Sequence, residues 1–548
     1  MMDWIALGRN TLIRRLTWAF LPVASWLFKF RLNRRIHTYD RNQARLRQRY
    51  AIGSSTPIHG YDDFIEKQIN ACAAASPAPH FATTSGTMGK PKKLFYNDER
   101  LLKYRADAIS CTVMAMHRYQ IRNPALFVLS SYKVDDSFSS LVLNDATKTG
   151  YLSGLLEPAR YLFQPAMLRY IDVYGASAVR LWLAVIANPG VLYATNPSTV
   201  AGFLSDTTNQ WIETTAMIRD FHRDQHAFAE IIPIVRRIAS PGYTQRMRSV
   251  SESERPLDLK QFWPELSAWS SWDGGYVEPY IRQVKTLLKP EEFTHIPVFS
   301  MSTEAVETLT FFANDGAICF LPIAPDIVYE FLPEEKPDQP AELLNARELK
   351  QNATYSMVVS DCYGLKRYQT EDVFICCGHV HGLPDLRFLR RRGLSFSYTG
   401  EKISGNQLSK AYREVSRQVN ELSEMNAQLC CFPGAQDCTL PYYQLVVVMP
   451  PGSTEIIASA DDIVLAFENA LTAVNQEFAQ KRQSGRLGPT RIEFINYDRM
   501  AALLDRRTQT NGDITRRSWE SQFKLAPLYL MPWDQLGTAA HNGAVRHM

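Results

Sequence analysis

The densest concentration of chemically capable groups in this 548-residue chain is the run Phe81–Lys93, FATTSGTMGKPKK. It holds hydroxyls at Thr83, Thr84, Ser85 and Thr87, glycines at Gly86 and Gly89, and lysines at Lys90, Lys92 and Lys93. Glycine has no Cβ and tolerates positive φ, so backbone amides can approach an anion closely. Hydroxyls and ammonium groups add donors and charge, and the run as a whole suits phosphate oxygens. It is not a Walker A loop. The Gly86–Gly89 spacing is too short, and Pro91 follows Lys90 where a Ser or Thr is required. The competing reading is an ordinary surface turn.

A second reactive-looking cluster, Cys376-Cys377-Gly378-His379-Val380-His381, could be taken for a metal site. Its ligands are crowded and alternate faces of what reads as a strand, so a metal is not expected there. The nine cysteines are an odd number without framework spacing. That pattern suits a reducing compartment and predicts a cytoplasmic location.

Groups of this kind need a large scaffold, and the length allows two or three domains. With 45% apolar and 21% charged residues, the composition is that of a soluble globular protein. The net charge of +4 is too small to argue for nucleic acid, and neither zinc-finger spacing nor a heptad run is present. The positive charge is concentrated at one end: residues 1–50 carry eleven Lys or Arg against Asp3 and Asp40. Within that segment the apolar run Leu16–Phe28 is flanked by Arg14, Arg15, Lys29 and Arg31. It is too short to span a bilayer and has no small-residue cleavage site, which argues against a signal peptide. The expectation is an amphipathic helix docked on the protein body and kinked at Pro22. The alternative is a helix lying in a membrane interface, anchored by Trp18 and Trp26.

Tyr61–Ala75 reads as a short helix leading into the hydroxyl-rich run. Asn97–Met116 reads as an amphipathic helix after it, giving a strand–loop–helix arrangement. Residues 120–260 alternate apolar runs (Ala125–Leu129, Val179–Val185, Ile231–Ile238) with helical patterns, which suggests α/β layering. Trp263, Trp269, Trp272 and Tyr276 form an aromatic-rich segment expected to be core. Ala317–Ile323 is a further apolar run, and residues 336–351 read as a loop. Strands are predicted at Tyr355–Ser360, Asp372–Cys377 and Asp385–Arg392, the first two joined by CYGLKRYQTE. Beyond Gly393 the pattern predicts a helix through Leu408–Leu422, a strand at Tyr442–Met449, a helix at Ile463–Phe478 and a strand at Arg491–Asn496. The tail after Trp533 is polar.

Four separated segments, in order, carry a family resemblance. TTSGTMGKPKK is similar to a TSGTSG-x-x-K phosphate loop. Met301-Ser302-Thr303-Glu304 is similar to a short S-S-E or T-E element, followed by Tyr329-Glu330-Phe331-Leu332-Pro333 against F-E-F-x-P. Tyr363-Gly364-Leu365-Lys366-Arg367-Tyr368 with Asp372 is similar to G-L-Y-R-Y-R-x-G-D. Gly400-Glu401-Lys402-Ile403-Ser404 is similar to G-E-K-L, and Ser521–Pro527 is a looser match to Q-Y-K-x-P-R. Together they resemble the auxin-responsive Gretchen Hagen acyl acid–amido synthetases, bacterial relatives included, of the adenylate-forming superfamily. Met88, Gln369-Thr370-Glu371 and Ala526-Pro527 depart from the pattern, and the region before Tyr61 matches poorly.

The resemblance implies an α/β fold with a large N-terminal adenylate-forming domain of mixed sheets and helices, and a small mobile α+β C-terminal domain. The expected divisions are an N-terminal segment at 1–60 packed on the body, a large domain at 61–393, a small domain at 394–533 and a tail at 534–548. The implied cofactors are ATP and Mg²⁺, and the implied substrates are a small-molecule carboxylic acid and an amine, an amino acid above all. By the same resemblance Thr83, Thr84, Ser85, Gly86, Thr87, Gly89, Lys90, Ser302, Thr303, Tyr368 and Asp372 would bind the nucleotide. Asp372 would accept the ribose hydroxyls, a task for which a carboxylate has the acceptors. Glu304 would help hold Mg²⁺. Lys402 and Lys524 would be catalytic, brought to the phosphates when the small domain closes. A monomer is expected. The alternatives are an acid–thiol (coenzyme A) ligase and a non-catalytic nucleotide-binding homologue.

Overall fold

In the computed structural model the described residues are 4–83, 92–129, 151–273, 278–313, 316–334, 343–391, 395–396, 401, 403–434, 440–450, 458–497 and 499–500. The chain is mixed α/β and divides into two compact units. One takes in Met1–Asp273, Tyr280–Thr370 and Phe374–Phe388. The other takes in the chain from Leu389, together with Gly274–Pro279 and Glu371–Val373.

The first unit opens with helix α1 (Trp4–His37), one continuous helix that includes Pro22. It supplies donors to helix ends of the same unit. Arg14 donates to the carbonyls of Ala187 (2.7 Å) and Ile238 (3.2 Å). These are the last residues of the helices Ala176–Ala187 and Ile232–Ile238, where carbonyls lack intrahelical partners and the dipole favours a cation. Asn10 adds a bond to the Ala239 carbonyl at 2.9 Å. Helices α2 (Tyr39–Arg49) and α3 (Asp63–Ala74) follow, the latter capped by Asp62, whose side chain accepts from the Ile65 amide. Strands β1 (His80–Thr83) and β2 (Lys93–Tyr96) pair antiparallel, Thr83 opposite Lys93. Helix α4 (Asp98–Arg118) starts at once, capped by Asn97. A second strand therefore stands where the sequence reading passed directly from loop to helix; KLFY is too short to register a period.

Strands β3 (Leu126–Val128), β4 (Val191–Tyr193), β5 (Ala268–Trp272) and β6 (Thr294–Val298) form a parallel sheet in that order. Of the three apolar runs read as alternating with helices, only the first is a strand. Val179–Val185 lies inside the helix Ala176–Ala187, all of whose residues are buried, and Ile231–Ile238 contributes the helix Ile232–Ile238. A helix sunk in the core is apolar all round, so its sequence loses the period that marks an amphipathic one. Trp263 and Trp269 are core residues, as expected. The Trp263 indole donates to the Pro189 carbonyl at 2.7 Å and meets Phe127 edge-on.

Strands β7 (Leu309–Phe312) and β8 (Ile318–Leu321) form a hairpin. A four-stranded sheet, ordered β12-β11-β10-β9, comprises β9 (Val328–Pro333), β10 (Thr354–Ser360), β11 (Tyr368–Val380) and β12 (Leu383–Arg391). Strand β11 begins four residues before the predicted start, so the end of the CYGLKRYQTE connection is strand rather than loop. Of the cysteine–histidine cluster, Cys376 is buried and Cys377 exposed on this strand.

The second unit holds β13 (Ser395–Phe396) paired with β14 (Ile403–Ser404), and a sheet of β15 (Gln428–Pro433), β16 (Tyr443–Met449) and β17 (Arg491–Asn496). Strand β15 escaped the sequence reading, because its LCCF run carries no alternation. The predicted helix Ile463–Phe478 is two, Ala460–Val474 and Gln476–Gln483, divided at Asn475. Leu408, Val415, Leu445, Val447, Phe467 and Phe478 sit in its core. Residues 501–548, Lys524 and the tail included, lie outside the described residues.

Candidate active site

The turn Met301–Val306, closed by a bridge between those two residues, presents Ser302, Thr303 and Glu304. Three aromatic or basic side chains from the neighbouring β2–α4 segment hold its backbone. Tyr96 donates to the Thr303 carbonyl (2.5 Å), Tyr104 to that of Ser302 (3.0 Å) and Arg100 to that of Glu304 (2.6 Å). Within the turn, the Ser302 hydroxyl accepts from the Ala305 amide at 3.2 Å. Arg100 also reaches the Phe95 carbonyl (2.6 Å) and lies 3.3 Å from Asp361. Burial alone would lower this guanidinium, but Tyr96 and Asp361 around it raise it above the ordinary value. Burial pushes the Tyr96 hydroxyl up to about 12, against the pull of Arg100, so it stays a neutral donor.

Asp361 organises the next element. Its carboxylate accepts from the amides of Tyr363 (2.8 Å) and Leu365 (3.0 Å), folding the turn that delivers the chain to β11. Burial raises this carboxyl, and Arg100 and the two amides oppose the rise. Gly364 in that turn has φ +109, and a Cβ there would meet the Ile69 backbone of α3 at 2.7 Å. Only glycine allows both.

The turn ends at Tyr368, the first residue of β11, and there the site converges. Lys92 donates to the Tyr368 hydroxyl at 2.8 Å and lies 3.6 Å from Glu304 Oε1. The Tyr368 hydroxyl is 3.5 Å from the same oxygen, across 64 residues of sequence. Glu304 is 2% exposed and Lys92 17%, so the ammonium is the solvent-facing end of a buried carboxylate. A lysine is a compact, mobile charge that can exchange one anion for another.

Of the residues expected at the site, Tyr368 and Glu304 come together, and Ser302 and Thr303 form the turn that carries Glu304. Thr83 ends β1 opposite Lys93. Asp372 lies four residues beyond Tyr368 on β11 and is buried. Thr84, Ser85, Gly86, Thr87, Gly89 and Lys90 lie outside the described residues, as do Lys402 and Lys524. The sequence reading passed over Lys92 in favour of Lys90. It also missed Tyr96, Arg100, Tyr104 and Asp361, whose roles come from packing and leave no short-range signal.

In the second unit, the neighbour of Lys402 is fixed from two sides. Glu401, fully buried, accepts from the Tyr443 hydroxyl at 2.5 Å, and its carbonyl accepts from Asn475 at 2.8 Å. Asn475 is the residue that divides the two helices, and it caps the second through the Phe478 amide at 2.9 Å.

Comparison with known families matches residues 39–293 to the GH3 family N-terminal domain and residues 321–391 to the GH3 family central domain, together more than half of the chain. The chain belongs to the GH3 family. This is the family its motifs resemble. Among relatives, it is 30% identical over 186 residues to a probable indole-3-acetic acid-amido synthetase, GH3.1, of Oryza sativa subsp. japonica, covering 32% of this chain and 30% of that protein. It is 25% identical over 193 residues to the indole-3-acetic acid-amido synthetase GH3.3 of Arabidopsis thaliana, covering 33% and 31%. The aligned regions thus span about 30% of the length of these relatives. Among solved structures, a GH3.15 acyl acid amido synthetase in complex with 2,4-DB shares the fold. The TM-score is 0.68 at 15% identity, with 89% of this chain and 87% of that one covered.

Proposed function

We propose that this GH3 protein is an ATP-dependent ligase that adenylates a carboxylic acid and passes the acyl group to an amine, in our reading an amino acid. The observation that carries the proposal is the junction of Lys92, Tyr368 and Glu304, where a lysine that closely follows the hydroxyl-rich run in the chain meets a buried carboxylate. A carboxylate is a poor acylating agent because oxide would have to leave. Attack of its oxygen on the α-phosphorus of ATP forms a C–O–P linkage and expels pyrophosphate. Attack of the amine nitrogen on the activated carbonyl then forms the amide, expels AMP and releases a proton from the amine.

The run Thr83–Lys90 and Lys92 would supply donors and positive charge to the phosphates, where charge builds in the first step. Asp372 would accept both ribose hydroxyls. Glu304 is a single carboxylate with Lys92 on one oxygen, which fits Mg²⁺ arriving with the nucleotide rather than a preformed cage. When bound, that ion would neutralise phosphate charge. Lys402 and Lys524 would act on the adenylation step. The eight described cysteines are thiols, in keeping with a reducing cytoplasm, and we take the protein to act there as a monomer.

ATP–pyrophosphate exchange over a panel of acids, with mass spectrometry of products from pooled amino acids, tests the proposal. Acid-dependent exchange and an amide are expected. A thioester formed with coenzyme A would replace the acceptor, and nucleotide binding without exchange for any acid would remove the catalytic assignment. Asp372→Ala should weaken ATP use by about 1.5–3 kcal/mol for each ribose bond lost. Lys402→Ala and Lys524→Ala should slow adenylation and spare amide formation from supplied acyl-adenylate; a lysine whose loss leaves both steps at wild-type rate is not a site residue.

A further inference from the structure

Helix α1 docks by one face and leaves the other uncovered. Leu7, Asn10, Arg14, Leu21, Ser25, Leu32 and Ile36 are buried. Leu12, Leu16, Phe20, Val23, Leu27 and Phe30 recur at spacings of three and four, one side of an α-helix, and all are exposed, from 48% at Leu16 to 64% at Phe20. Helical geometry places this stripe opposite the docked face. Trp26, 65% exposed, stacks on Phe30 beside it, with ring centroids 6.1 Å apart. An apolar groove lined by Ile13, Leu16, Phe20, Ala24 and by Val113 of α4 continues the surface. Soluble monomers rarely expose contiguous apolar patches beyond a few hundred Å², and larger ones mark partners or membranes.

We propose that this face lies on an anionic phospholipid surface, with α1 parallel to the bilayer plane. Charge selects the occupant. The helix carries Arg9, Arg14, Arg15, Lys29, Arg31, Arg34 and Arg35 and not one Asp or Glu. Of these, Arg14 is buried and Arg35 is paired with Asp107 at 2.8 Å. Arg9, Arg15, Arg31 and Arg34 are exposed, and helical geometry sets Arg15 and Arg31 on opposite flanks of the stripe. A second copy of this chain would bring an identical acid-free basic helix to the interface, and the two would repel. A nucleic acid would use the arginines and leave the apolar stripe uncovered. Lipid headgroups take the arginines while the acyl boundary takes Phe20, Leu27 and Phe30, and Trp18 and Trp26 suit the boundary itself. The helix lies on the surface without crossing it: among the described residues no single helix is long and apolar enough to span a membrane, and the docked face holds α1 against the body. Docking and interfacial binding, alternatives in the sequence, use opposite sides of one helix.

The test is sedimentation of the full chain with phosphatidylcholine vesicles, with and without phosphatidylglycerol. Co-sedimentation only with the anionic vesicles, weakened by salt, is expected. R15Q/R31Q should lower affinity on the order of 25-fold, about fivefold for each charge removed. F20S/L27S should abolish binding at an unchanged melting temperature. Should that variant melt early, quenching of the wild-type tryptophans by brominated phosphatidylglycerol replaces it as the readout, and its absence overturns the proposal. So does failure of the wild type to bind anionic vesicles. A concentration-dependent dimer in light scattering that F20S/L27S dissociates would assign the face to a second copy instead.

Discussion

Two glutamates of the first unit, Glu304 and Glu330, are equally buried and are partnered by adjacent residues, Tyr368 and Arg367, yet their surroundings differ in kind. Glu330 receives a two-pronged pair from Arg367 (Nε to Oε2 and Nη2 to Oε1, both 2.9 Å) and a third bond from Arg47 at 2.6 Å. Arg367 spends its remaining donor on the carbonyls of Ser54 (3.3 Å) and Thr56 (2.5 Å). Its backbone sits at φ +43, a strained setting that persists only where surrounding bonds over-determine it. Glu304 has instead a lysine at 3.6 Å and a phenol at 3.5 Å. Planar guanidinium forks lock a carboxylate, whereas an ammonium at longer range can leave it. The difference sets a carboxylate locked into the fold against the one that, in our proposal, serves the nucleotide.

The largest effect should come from the locked pair. Glu330→Ala leaves Arg367 buried without its counter-charge and should cost about 3–5 kcal/mol of stability in urea unfolding, with the remaining folded protein normally active. A loss below about 1 kcal/mol would erase the distinction.

Acid sets the next limit, from a half-buried group of the same unit. His295 stacks on Trp269 (centroids 3.9 Å apart), and burial lowers it from 6.5 to about 4, with Lys285 adding to the effect. The unfolded chain takes up this proton first as pH falls. The neutral ring's contribution is therefore complete above 6.5 and is lost on descending towards 4, about 3 kcal/mol in all. Stability curves over that range measure it, and His295→Phe should flatten them. An unchanged slope in that variant would place the acid sensitivity elsewhere.

Glu304→Gln should behave in the opposite way to Glu330→Ala. Stability should stay within about 1 kcal/mol of wild type while acid-dependent pyrophosphate exchange slows by about 10- to 150-fold, the equivalent of 1.5–3 kcal/mol. A variant that unfolds early but exchanges normally would make Glu304 structural. The smallest change is expected for Lys92→Met, about fivefold in exchange at constant melting temperature; a weakened fold with intact exchange would move Lys92 to the structural group.

Much of this was legible in the chain. The order of the TTSGTMGK, STE, YGLKRY–D and GEKI segments pointed to the family, because four residue patterns in one order along the chain are far more specific than any one of them. The helices read from Tyr61 and Asn97 begin within two residues of those positions, at Asp63 and Asp98, where Asp62 and Asn97 cap them; capping is a local interaction between a side chain and amides two or three residues on. One element was hidden by burial: Val179–Val185 gave no helical period because every side of its helix meets other protein. Ile231–Ile238 instead buries Ile231, Ile234, Val235 and Ile238 and exposes Pro233, Arg236 and Arg237, a helical spacing that a reading as one apolar run overlooks.

The sequence by itself determined the inventory: which residues could meet phosphate, which segments could cap, and that residues 1–50 carry a large positive excess. Tertiary structure alone decided the assignments among them. It set Lys92 against Glu304, gave Arg367 to Glu330 and Tyr368 to Glu304, and divided α1 into a docked polar-anchored face and an exposed apolar one. Each of these depends on approaches between segments tens to hundreds of residues apart or on which side of a helix finds a neighbour. Local propensity and spacing carry no term for either, because both are fixed only when the core closes.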